Sequence, residues 1–339
     1  MNPTFYRTSF FVLLFASITI VVFSFFKNPG QDFDKLYYES FARHNKVHAL
    51  VIPDSLSFAG EEVPINQYYV REGLDRELLV NTYWHSNTVL LLKRAARFFP
   101  VIEPILKENG IPDDFKYVAL IESGLMNVIS PSNAAGFWQF LDATAKQYGL
   151  EVSEEVDERY HLEKATVAAC KYFQSSNSKY ANWTLSAASY NAGAGRISRE
   201  LTRQQVSDFY SLWLNQETSR YIFRILALKL IYEDPTKYGF YIRQRDLYPP
   251  IPTKTVEISA TTPDLIAFAL QNKTNFRVLK EFNPWLRSDK LTVKPGVKYQ
   301  IKLPEDGYTG YDQLLKDIDS PDKIVGKGSL DVPPMPLEQ

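Results

Sequence analysis

The sequence predicts a mainly α chain, made of a large helical domain, a small α+β module after it, and an N-terminal apolar segment able to span a membrane. Three observations carry this. Apolar residues recur at helical spacing in successive segments from Val70 to Tyr232. The three prolines of Tyr248–Pro252 then enforce extended backbone, and residues 254–304 read strand, helix, helix, strand. Ahead of both, Ser9–Phe26 is an unbroken run of 18 uncharged, mostly apolar residues.

Residues 1–8 form a short N-terminal segment carrying Arg7. At about 1.5 Å per residue, residues 9–26 just cross a hydrocarbon core of roughly 30 Å. The segment is either a signal peptide or an anchor. No small-x-small cleavage site precedes Lys27, where the chain reads Ser24-Phe-Phe26, and this favours a retained anchor. Residues 27–66 lack long periodicity and read as a linker.

From residue 67 to 247 the pattern is helical. Leu74, Leu78 and Leu79 mark one helix, Val89–Phe99 a second, and Val101–Asn109 a third that stops at Gly110. Asp113–Ser123 comes next, with Pro112 at its entry and Phe115, Val118, Ala119 and Ile121 as its apolar stripe. Ala143–Tyr148, Leu162–Phe173 and Trp183–Tyr190 are further helices, and the acidic run Glu151–Glu158 reads as a solvated loop. Glu217–Tyr232 is apolar over most of its circumference, as a central helix would be, and ends before Pro235. Glu217 with Arg220 or Arg224 reads as an intrahelical ion pair. Residues 248–253 are the Pro-rich linker. Residues 254–304 are the module, with Thr255–Ile258 and Tyr299–Leu303 as strands and Pro263–Ala269 and Phe276–Glu281 as helices. In residues 305–339 the Pro, Gly and charge content predicts a partly disordered tail.

Composition removes several functional classes. A net charge of -1 leaves no basic footprint to neutralise phosphates, which excludes nucleic acid as a partner. The single cysteine, Cys170, excludes an internal disulfide and a thiolate zinc cluster. His85 has no second ligand at metal-binding spacing and the acidic run lacks a calcium-loop pattern, so no metal and no cofactor is assigned.

Chemistry concentrates in Leu120–Leu141, LIESGLMNVISPSNAAGFWQFL. Glu122 falls where the apolar stripe predicts burial. Beside Val118, Ala119 and Leu125 a charged carboxylate loses hydration, so its pKa rises and it can hold a proton as a general acid. The plainer alternative is a helix-terminal carboxylate in an ordinary ion pair. Ser130–Gly136 has no bulky side chain and lets a ligand approach the backbone. Phe137, Trp138 and Phe140 offer flat faces, for stacking or for the core, and Gln139 can donate and accept.

Glu122-Ser-Gly124, the run Ser130-Pro-Ser-Asn-Ala-Ala-Gly-Phe-Trp-Gln-Phe140, Thr144–Leu150 and Ala187-Ala-Ser-Tyr-Asn-Ala-Gly-Ala-Gly-Arg-Ile197 stand in a fixed order. Together they resemble the signature of the lytic transglycosylases with a goose-lysozyme-like domain, most of all their membrane-bound D type, over Tyr83 to about Phe240. The resemblance implies a lysozyme-like helical fold that cleaves peptidoglycan between N-acetylmuramic acid and N-acetylglucosamine. The muramic acid C6 hydroxyl would attack its own C1 and leave a 1,6-anhydro end. It further implies Glu122 as the acid/base, Tyr190 as the catalytic support that orients it, and Ser130, Gln139 and Asn191 as substrate contacts. Trp138 and Tyr148 offer rings to stack on sugars. Two positions depart from the pattern, Ser189 in place of Ala and Asn133 in place of the Gly of soluble members.

Phe282-Asn-Pro284 and Lys294-Pro-Gly-Val297 resemble turns of LysM glycan-binding modules, although Ala260-Thr-Thr-Pro263 replaces the usual Gly-Asp-Thr. The partners implied are peptidoglycan strands and, through residues 9–26, a membrane on the periplasmic side of a bacterial envelope. Glycosidases that use water normally need two carboxylates. The motifs hold one, and neither Asp142 nor Glu151 has the setting of a second, which favours the anhydro route. A hydrolytic muramidase and an inactive peptidoglycan-binding protein remain the alternatives.

Overall fold

A computed structural model describes residues 47–326. The apolar run 9–26 and the end of the tail from residue 327 lie outside the described residues. No helix among the described residues is long and apolar enough to cross a membrane.

The helical domain starts earlier than its periodicity suggests. Phe58, Val63 and Ile65, read as linker, are buried in its core, and β1 (Ser57–Phe58) pairs antiparallel with β2 (Glu61–Glu62). The Glu61 carboxylate accepts the N–H groups of Trp183 and Thr184 at 2.5 and 2.9 Å, which caps a helix start far along the chain. Such a role leaves no local periodicity to read.

α1 (Tyr68–Tyr83) is followed by α2 (His85–Glu108), one helix where the sequence predicted two. It continues through Pro100 and Pro104, each of which lacks a donor for the helical ladder. Phe99, Ile102 and Leu106 are all buried along it, and that apolar burial outweighs the missing bonds. A 3-10 turn at Asp113–Phe115 leads into α3 (Lys116–Ser123), which ends at Gly124 with φ +60 and its N–H bonded to the Leu120 carbonyl. α4 (Asp142–Gln147), α5 (Leu162–Tyr180), α6 (Trp183–Ala192) and α7 (Ala194–Gln204) come after it. α8 (Gln216–Glu233) packs against α1, α3 and α6 as the predicted central helix. Gly73 of α1 is required here, since a Cβ would stand 2.7 Å from the Phe223 ring.

After the small-residue loop the chain makes a turn over residues 136–139 in place of a helix. Ala135 bridges both Ile129 and Phe140, and this turns Phe137, Trp138 and Phe140 into the core. The acidic run is not a solvated loop either. Asp157 and Glu158 are buried, and the segment seats the C-terminal module.

In that module β3 (Thr253–Ile258) pairs antiparallel with β4 (Tyr299–Pro304), from Thr253 opposite Pro304 to Ile258 opposite Tyr299. α9 (Leu265–Gln271) and α10 (Phe276–Phe282) start at the side-chain caps Asp264 and Asn275. Buried Asn283 donates to the Lys302 carbonyl at 2.6 Å and accepts its N–H at 2.8 Å, tying α10 to β4. The module's core of Ile258, Leu265, Leu279, Ile301 and Leu303 is shared with Ala135, Val156 and Tyr160 of the helical domain. α11 (Tyr311–Lys316) is the last helix described, and part of the predicted disordered tail is ordered, because Val325 donates to the Ile242 carbonyl at 2.9 Å and Ile324 bridges Arg243.

Candidate active site

α3, the 126–141 loop, the α6–α7 junction and the start of α8 converge on a pocket of about 710 Å³, within the range of ligand sites. Glu122 lines it from the last turn of α3. Burial among apolar neighbours pushes its carboxyl up to about 7. A hydrogen bond from Tyr221 and the charge of Arg224 pull in the other direction, and the charge of Glu217 adds to the rise. A carboxyl at that value can both give and take a proton near neutrality.

The phenol bonded to Glu122 is that of Tyr221, whose Oη donates to Oε1 at 2.5 Å. Tyr190 was expected in this role. Its Oη donates instead to the Trp138 carbonyl at 2.6 Å, and a phenol has one proton to give. Tyr190 still lines the pocket, and its phenol is pushed well up by burial and then by the Glu122 charge.

Ser130, Gln139, Tyr148 and Asn191 also line the pocket. Ser130 Oγ accepts the Ala134 N–H at 3.0 Å and so shapes the loop. Gln139, at φ +51, spends its amide protons on the carbonyls of Val128 and Gly136 at 3.1 and 2.7 Å, which leaves its amide oxygen to offer a ligand. Asn191 Nδ2 donates to Glu217 at 3.3 Å, and its Oδ1 accepts from Thr218 at 3.0 Å.

Trp138 does not offer its ring to a sugar. It is fully buried against Phe173 with Nε1 donating to Thr166 Oγ1 at 2.9 Å, so no sugar can reach its face. Of the two departures from the motifs, Asn133 adopts φ +63, a left-handed conformation that Gly favours and Asn tolerates. Ser189 is wholly buried with its hydroxyl bonded to the Ser186 carbonyl at 2.8 Å, so it does not touch the pocket.

Sequence reasoning missed Glu217 and Tyr221. Neither arginine pairs with Glu217 within the helix: Arg220 bonds Glu77 of α1 at 2.7 Å, and Arg224 donates to the Ile121 carbonyl at 3.1 Å. This frees Glu217 to face the pocket as a second carboxylate. Asp142 pairs with Lys146 and Glu151 accepts from Tyr299, and neither lines the pocket. The available signal was spacing, since residues 217 and 221 stand one helical turn apart and share a face.

Comparisons with known proteins agree with the geometry. Residues 99–212 match the family model of the Transglycosylase SLT domain, and residues 254–307 that of the Soluble lytic transglycosylase C-terminal LysM-like domain. Over 203 residues the chain is 30% identical to Membrane-bound lytic murein transglycosylase D of Escherichia coli strain K12, covering 57% of this chain and 44% of that protein. The same figures hold for the protein of that name from Escherichia coli O6:H1. The chain thus spans less than half the length of these relatives. It carries a transglycosylase SLT domain and a LysM-like C-terminal domain.

Proposed function

We propose that the chain is a peptidoglycan lytic transglycosylase, cleaving the β-1,4 bond between N-acetylmuramic acid and N-acetylglucosamine with formation of 1,6-anhydromuramic acid ends. The observation that supports this most is Glu122, a half-buried carboxyl pushed up to about 7 in a pocket between the SLT motifs.

With Tyr221 donating to Oε1, the Glu122 proton resides on Oε2. It passes to the glycosidic oxygen as the C1–O4 bond breaks and its electron pair stays on O4. Positive charge then develops at C1, next to the carboxylates of Glu122 and Glu217. The C6 hydroxyl oxygen forms the C1–O6 bond and loses its proton to Glu122. The acid is restored and no water is consumed. Ser130, Gln139, Asn191 and Tyr148 hold the strand, while Tyr190 supports the pocket through the Trp138 carbonyl rather than through the acid. The C-terminal module adds glycan contacts, and residues 9–26 anchor the protein on the periplasmic side of the membrane, in line with the membrane-bound relatives.

A second reading is favoured by Glu217, since a second carboxylate in the pocket of the acid is what a water-using muramidase needs. One experiment separates them. Purified sacculi are incubated with the full chain and with Glu122→Gln, and the soluble products are analysed by mass spectrometry. Anhydro-muropeptides from the wild type alone are expected. Reducing-end products would establish the hydrolase, and binding of sacculi without products an inactive glycan-binding protein.

A further inference from the structure

The loop that forms one wall of the pocket is held from behind by Arg159, alongside the Ser123 and Tyr190 hydroxyls on the Phe137 and Trp138 carbonyls, and the segment that carries Arg159 rests on the C-terminal module. Arg159 Nη1 donates to the carbonyls of Asn133 and Phe140 at 2.9 and 3.3 Å, on either side of Gln139 and the turn that presents it. Its Nε and Nη2 form a fork with the Asp157 carboxylate at 2.9 and 2.7 Å, and both side chains are nearly buried. Gly136 lies on the Arg159 backbone so closely that a Cβ would fall 1.9 Å from the Arg159 carbonyl oxygen. The loop has no room to slide.

The segment carrying Asp157 and Arg159 leans in turn on the module. Asp157 N–H donates to the Trp285 carbonyl at 2.9 Å, Arg287 N–H to the Glu155 carbonyl at 2.8 Å, and Val156 bridges Leu286 between them. The Glu155 carboxylate accepts the Thr292 N–H at 2.7 Å, the Arg287 guanidinium lies 4.3 Å from the Tyr160 ring centre, and Ala135 of the loop sits in the module's own apolar core. Buried charge-assisted bonds to carbonyls confer fixed geometry, because breaking one partner leaves the other buried and unpaired.

We propose that Arg159 is a positioning residue for the substrate wall, and that the C-terminal module, through the Glu155–Asp157 seam, holds Arg159 in place, so that the module is a working part of the pocket in addition to any glycan it binds itself. The inference rests on the function proposed above for its kinetic readout, but not for its structural one.

The test uses the full chain with Arg159→Met, Arg159→Lys and, at the seam where the segment meets the module and away from the pocket, Glu155→Ala. Amide hydrogen exchange over residues 128–141 should quicken by about tenfold or more in Arg159→Met, less in Arg159→Lys and Glu155→Ala, with α8 unchanged. On solubilised glycan strands KM should rise several-fold in the same order, and the pH dependence set by Glu122 should keep its midpoint. Unchanged exchange in Arg159→Met, or equal quickening in α8, would overturn the positioning role. Unchanged exchange in Glu155→Ala would overturn the part given to the module. A wild type that yields no anhydro products sinks the enzymatic reading alone, since the exchange measurement still decides this one.

Discussion

Glu122 and Glu163 are the same residue type, and burial acts first and in the same direction on both, yet their carboxyls end far apart. Glu122 is pushed up to about 7, and Glu163, at the seam with the module, is drawn down to about 2. The difference lies in their partners. Glu163 accepts a hydrogen bond from the Lys302 ammonium and lies 3.2 Å from the His161 ring Nδ1, and both neighbours favour its ionised form. Glu122 receives a neutral phenol, the weaker pull of Arg224 and the opposing charge of Glu217. Burial with a cation makes structural glue, whereas burial without one makes an acid.

The sign of each shift gives opposite effects on stability. Folded Glu122 keeps its proton to about pH 7 while the unfolded chain releases it near 4.5, so its contribution is full below that value and is lost as pH rises through 7. Glu163 contributes above 4.5, and that contribution is lost as pH falls towards 2.

The largest test of this contrast is Glu122→Gln. Anhydro-product formation should fall by about 10³-fold or more, while thermal unfolding at pH 8 shows a variant more stable than the wild type, by up to about 3 kcal/mol. A variant less stable at pH 8 would show that Glu122 is not a strained acid. Next is Tyr221→Phe. Losing a donor that favours the carboxylate should move the midpoint of the pH–rate profile above 7 and slow turnover about tenfold. Glu217→Gln should move the same midpoint below 7, because a like charge is removed. Measuring both profiles sharpens the assignment, since a merely structural role for either residue would move neither. The smallest effect is expected for Glu163→Gln, with sacculus digestion unchanged and a loss of about 1 kcal/mol at pH 7 that vanishes near pH 2 by chemical denaturation.

Much of the helical order was legible because it rests on apolar spacing. The core positions Leu74, Leu78, Val118 and Ile225 are all wholly buried. Glu122 was legible as well, from the stripe it interrupts and the motifs around it. The illegible parts share one physical character, that they depend on partners distant in the chain. Glu61 caps a helix that begins more than a hundred residues later, and Pro100 sits inside α2 because its neighbours have a core to enter. Trp138 turns inward because a loop bridge and Thr166 hold it there. Glu217 reaches the pocket because Arg220 is taken by Glu77 on another helix.

By itself, then, the sequence determined the helical class of the domain, the strand-helix-helix-strand module and the carboxylate that the motifs single out, Glu122, since these depend on residue type and local spacing. Only the tertiary structure decided which phenol touches that carboxylate, which second carboxylate shares its pocket, and what holds the loop that lines it. Those are contests among several donors and charges for one partner, and the winner is set by which groups the packed core brings within about 3 Å of each other.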